Sequence, residues 1–227
     1  FTTGLLFVLF IYVVPKITDI FAQADMKLPW YTLAIIGVSD FLVAYWFIII
    51  TVGIMSYVLF RNWKATEEGG AQWDSIVLKI PVVGALARMI AVSRFTRTLS
   101  TLLAGGVPML NAMDIVRNVV GNAVLARAIV EARNNISEGE TIAGPLKKSA
   151  EFPPIVIHMI NIGEKTGELE FMLSQVSESY DFQVKNKVQG LTSVLEPVMI
   201  VIMGIVVAII VFAIMVPIFQ MSNMANV

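Results

Sequence analysis

The sequence predicts an all-α integral membrane protein: a cytoplasmic bundle of about six helices, two complete transmembrane helices and the end of a third. Three observations predict it. Of the 227 residues, 57% are hydrophobic and 15% charged, where a soluble domain is nearer half apolar and a quarter charged. Two long runs carry no charge at all. Elsewhere the apolar residues recur three and four apart, and no stretch alternates β-branched residues between turn pairs as strands do.

Residues 1–14 are apolar but too few to cross a bilayer, and they read as the end of a truncated transmembrane helix. A signal peptide would show a basic start and a small-x-small cleavage site, and neither stands before Pro15. Residues 15–40, with Lys16 and Lys27 against Asp19, Asp25 and Asp40, form an extracytoplasmic loop. Residues 41–60 lie uncharged between Asp40 and Arg61; twenty residues of helix cover about 30 Å, the thickness of a bilayer core. Residues 61–196 hold fourteen of the sixteen basic residues, and Arg61, Lys64, Lys185 and Lys187 flank the membrane, which marks this segment as cytoplasmic. It is long enough for one compact domain. Residues 197–217 form the last transmembrane helix, with no charge after Glu196 and with Pro217 as its expected stop; residues 218–227 are then an extracytoplasmic tail. Trp30, Tyr31 and Trp63 suit the interfacial aromatic belts.

Within the cytoplasmic segment Val92, Phe95, Leu99 and Leu102 make one helical stripe. Leu169, Met172, Leu173, Val176, Tyr180, Val184, Val188, Leu191 and Leu195 make a longer one that runs into the last span. Gly105-Gly106-Val107-Pro108 ends one helix and starts the next. Gly121-Asn122 repeats the device, with Asn122 as N-cap. Residues 123–136 are helical, a short segment follows near Leu146, and Phe152-Pro153-Pro154 opens a helix that Gly163 is expected to close.

Charge is uneven in this bundle. Between Ser75 and Met113 stand Lys79, Arg88, Arg94 and Arg97 and no acid, whereas residues 134–196 hold nine acidic residues and five basic. Either the two halves pair internally or one face docks a partner. The overall balance of 16 basic and 17 acidic residues does not suit a nucleic-acid binder.

The chemistry-bearing residues are few. Cysteine is absent and His158 is the single histidine, so no cysteine zinc site, H-E-x-x-H pair or thiolate nucleophile is possible. His158 stands among Ile155, Val156, Ile157, Met159 and Ile160 and reads as structural. No glycine precedes a lysine, which excludes a P-loop. No catalytic, metal or cofactor site is expected. A transporter subunit remains an alternative, yet it would place ionisable residues inside its spans, and Glu196 at the boundary is the only candidate. A membrane enzyme built on His158 lacks its partners.

Several motifs stand in order along the chain: Lys79-Ile80-Pro81-Val82-Val83-Gly84, the run Arg94 to Leu103, Gly106-Val107-Pro108-Met109-Leu110, Gly121-Asn122, Phe152-Pro153-Pro154, Gly163-Glu164-Lys165-Thr166-Gly167-Glu168-Leu169 and Leu195-Glu196-Pro197. Together they resemble the second half of the PilC/GspF family, the inner-membrane platform proteins of type IV pili and type II secretion. The resemblance implies a multi-pass protein of the bacterial inner membrane and a second cytoplasmic domain of two. It also implies a platform that contacts a hexameric ATPase, pilin-like subunits, other platform components and further copies of itself. Met172-Leu173 and Pro217-Ile218-Phe219 look more like the pilus branch. Lys165-Thr166 departs from relatives that carry an acidic or small residue after the glutamate.

The candidate structural or partner-contact residues are Arg94, Arg97, Gly106, Pro108, Gly163, Glu164, Gly167, Glu168, Glu196 and Pro197. Arg94 and Arg97 share a helix face, and pairing with Glu164 and Glu168 is the expectation. A helix from about Glu168 to Val216 would join the bundle to the last span, with Pro197 as its point of flexure.

Overall fold

The computed structural model describes Gly4 and residues 30–224. The expectations for residues 1–14 and 15–29 therefore lie, Gly4 apart, outside the described residues. Among residues 30–224 eight helices follow in order: α1 (Trp30–Ala65), α2 (Glu67–Lys79), α3 (Val83–Ala104), α4 (Met109–Val119), α5 (Ala123–Ser137), α6 (Ala143–Lys148), α7 (Pro154–Thr166) and α8 (Leu169–Met224). There is no strand among the described residues. The chain divides into two compact units, Phe1–Leu59 with Leu191–Val227, and Phe60–Gly190.

In the first unit α1 begins at Trp30, so residues 30–40 of the expected loop are already helical and Asp40 sits exposed on the helix. Its apolar side chains face outward, with Phe47 66% and Ile54 60% exposed. A continuous apolar surface of this kind is stable only against another apolar phase. α1 and α8 are both long and apolar enough to cross a membrane. α8 is 56 residues long and passes through Pro197 and Pro217 to Met224, so Pro217 does not end the helix. Proline removes one intrahelical donor, and a membrane helix can re-satisfy the freed backbone group locally.

The second unit is the bundle. Thr66 caps α2, its Oγ1 accepting from the Gly69 N–H at 3.1 Å. Behind that cap there is no room for a side chain, since a Cβ on Gly69 would meet the Trp63 carbonyl oxygen at 2.1 Å. The chain then turns by 114° between α2 and α3. Val82, at φ 70° and ψ −59°, forms the corner, and the Val83 N–H donates to the Pro81 carbonyl at 2.9 Å. This is a γ-turn of the rare, strained hand, and Val82 is 55% exposed there.

The core draws on every helix from α3 to α8: Phe95, Leu99, Met113, Leu125, Ile129, Leu146, Ile160 and Leu173 are fully buried. Burial of each such side chain contributes about 1.5–3 kcal/mol. Phe95 meets Phe152 with ring centroids 5.0 Å apart, tying α3 to the entry of α7. On α8 the predicted stripe is buried at Leu173, Val176 and Tyr180, but Val188, Leu191 and Leu195 are exposed. Asn122 caps α5 as expected, Oδ1 accepting from Val124 and Leu125, and Asp74 of α2 adds an acceptor for the Ala123 N–H at 2.7 Å. Gly163 does not close α7. The helix runs to Thr166 and is closed by Gly167 at φ 77°, while Gly163 is where α7 meets the start of α8: a Cβ there would lie 2.7 Å from the Leu169 Cα.

Candidate functional site

Three side-chain contacts between residues more than 60 apart in the chain start from α3. Four residues apart, Ser93 and Arg97 lie on one face of that helix, and both reach Asp181 of α8. The Ser93 hydroxyl donates to Oδ1 and the Arg97 guanidinium to Oδ2. Ser93 is buried, whereas the Arg97 and Asp181 side chains are 56% and 43% exposed. The carboxylate thus fastens α8 to α3 from the rim of the core. Toward the start of α3, Arg88 pairs with Glu151 at 3.0 Å, and Arg133 of α5 pairs with Asp114 of α4 at the same distance.

The glutamates of the glycine turn do something else. Glu164, near the end of α7, accepts from the Ile142 N–H through Oε1 and from the Ala143 N–H through Oε2, the latter at 3.1 Å. Those amides open α6, so the Glu164 carboxylate satisfies donors that a helix start leaves unpaired. Glu168 is exposed, and its backbone N–H donates to the Thr166 hydroxyl at 3.4 Å. The expected pairing of Arg94 and Arg97 with Glu164 and Glu168 is therefore replaced: Arg97 takes Asp181, and Glu164 takes backbone amides.

Arg94 is exposed and runs across Gly121, whose φ is 73° and whose missing side chain leaves the path open. Gly106, at φ 76°, and Pro108 shape the α3–α4 turn, where Pro108 is the N-cap position of α4. Glu196 and Pro197 both lie exposed within α8. His158 is exposed on α7 beside Asn161. Among the described residues no three His, Cys, Asp or Glu side chains converge as a metal site.

Asp181 and Ser93 escaped the sequence reading although a signal existed. Ser177 and Asp181 stand one turn apart along the flank of the α8 stripe, a polar margin on an otherwise apolar face. The Asp74 cap had none, since it joins residues 49 apart.

Bundle and apolar helices together define a membrane-anchored helical component whose polar contacts are structural. The family described as type II secretion system (T2SS), protein F matches residues 95–217. Type IV pilus assembly protein PilC of Myxococcus xanthus is 36% identical over 97% of the chain and 53% of its own length. Two Aeromonas hydrophila proteins, type IV pilus assembly protein TapC and type II secretion system protein F, are each 34% identical, over 96% and 98% of the chain and 53% and 58% of their own lengths. The chain belongs to the PilC/GspF family of inner-membrane platform proteins, a multi-pass family of scaffolds with a cytoplasmic helical domain. It spans about half the length of the curated relatives it matches.

Proposed function

We propose that the chain couples a cytoplasmic hexameric ATPase to the insertion or extraction of pilin-like subunits in a type IV pilus machine. Residues 61–196 are the cytoplasmic domain in this reading, and 41–60 and 197–217 the hydrocarbon-crossing segments. The observation that carries it is the Asp181 clamp. A helix that continues into an apolar segment is held to the bundle by Ser93 and Arg97, so a torque received by the bundle passes into α8. Turning of the spans then moves pilin-like subunits out of the lipid.

The partner surface is assigned to the exposed side of α3, which carries Arg94 and Thr101; Arg94 has no ion-pair partner among the described residues. The test is in-cell photo-cross-linking from those two positions, identified by mass spectrometry. Capture of the hexameric ATPase is expected. Failure to capture it from either position, with the protein in the membrane at normal level, would overturn this assignment.

A further inference from the structure

A groove of about 640 Å³ lies between α6 and α7, floored by Phe152 and Ile157 and edged by Lys147, His158 and Asn161. Among the described residues no carboxylate lines it. Lys147 is exposed and has no ion-pair partner among the described residues, unlike its neighbour Lys148, which reaches Glu140 at 3.7 Å. The groove is apolar at its base and basic at its edge.

The complementary surface is on the same unit. Phe171, Gln175, Glu178 and Phe182 follow one another at spacings of four, three and four, which places them on one side of α8. That side is opposite Leu173, Val176 and Tyr180, which the core buries. An outward helix face in a bundle is normally polar, yet Phe171 is 54% and Phe182 66% exposed. Glu178 between them is exposed and has no ion-pair partner among the described residues. Two aromatic anchors flanking a free carboxylate resemble the centre of an interface more than a solvated surface.

We infer that two copies of this chain associate by seating the Phe171–Glu178–Phe182 stripe of one in the α6–α7 groove of the other, with Glu178 against Lys147. The proposal rests on the self-association expected of the platform and names the surfaces that produce it. Complementary charge selects this occupant. Stripe against stripe in a symmetric pair would bring two Glu178 carboxylates together, which is unfavourable, whereas the groove offers a cation at the edge of an apolar floor. In a two-fold pair each copy supplies one groove and one stripe.

The test uses the full chain in detergent micelles, with self-association read by analytical ultracentrifugation. Lys147→Glu alone and Glu178→Lys alone each set like charges face to face and are expected to weaken association about tenfold or more. Mixing the two variants restores it, because the mixed pair has an opposite-charge contact at both grooves. Both positions are exposed, and unchanged far-ultraviolet circular dichroism of each variant confirms the fold. The chain has no cysteine, so Asn161→Cys in one copy and Gln175→Cys in another report proximity by an intermolecular disulfide. A self-associating chain indifferent to both reversals, or a mixture that does not recover, overturns the proposed surfaces and leaves platform self-association standing. A wild-type chain that is monomeric overturns both.

Discussion

Asp181 provides the sharpest test of how the bundle holds α8. Its replacement by alanine removes the Arg97 ion pair and the Ser93 hydrogen bond. The ion pair is roughly half exposed, so it is discounted to about 0.5–1 kcal/mol. The bond from the buried Ser93 hydroxyl contributes about 1 kcal/mol more. Asp181→Ala should therefore cost about 1.5–2 kcal/mol, and at about 4 °C per kcal/mol for a domain of this size the melting temperature falls by about 6–8 °C. Arg97→Ala should cost only about 0.5–1 kcal/mol. The double variant should be scarcely worse than Asp181→Ala, leaving a coupling of about 0.5–1 kcal/mol. Denaturant unfolding of the four proteins in the same micelles measures the cycle, and 1 M salt should shrink the coupling. Effects that simply add, to within about 0.3 kcal/mol, would refute the clamp and with it the proposed route of torque from α3 to α8.

Three further outcomes are expected. Glu164→Ala leaves the first amides of α6 without their acceptor and costs about 1–2 kcal/mol by analogy with a lost helix cap; hydrogen exchange at Ile142 and Ala143 should accelerate, and unaltered protection would show that the carboxylate is dispensable. Val82→Gly places at φ 70° the residue that tolerates it, and relief of strain outweighs the added freedom of the unfolded chain by about 1 kcal/mol; a lower melting temperature would contradict the strained turn. Pro197→Ala restores a backbone donor within α8 and stiffens the helix at that point, so pilus number and twitching should fall, and wild-type motility would remove flexure at Pro197 from the mechanism.

Much of this architecture was legible because it rests on local signals. Charge-free length marked α1 and α8, helical spacing marked Phe95, Leu99, Leu173 and Val176 as core, and Asn122 announced the start of α5. The errors came where a residue acts through something distant. Gly163 reads locally as a helix stop, but its missing side chain serves the approach of Leu169, and Gly167 holds the left-handed position. The arginine motif stands on α3 and the glutamate motif at the end of α7, and charge type alone does not choose among carboxylates. Arg97 found Asp181 on the polar margin of the α8 stripe, and Glu164 found backbone amides, which carry no mark in a sequence.

The corner at Val82 bears on the order in which the bundle forms. A valine enters that positive-φ γ-turn only when neighbouring structure holds it there, and α2 and α3 meet closely at this corner, since a Cβ on Gly84 would meet the Leu78 carbonyl oxygen at 2.4 Å. The turn cannot serve as a nucleus that brings α2 and α3 together. Both helices must form first and close the corner as they dock, which places Val82 among the last contacts made and the first lost. Easing the turn should then slow unfolding and leave the folding rate nearly unchanged, the signature of an interaction absent from the transition state.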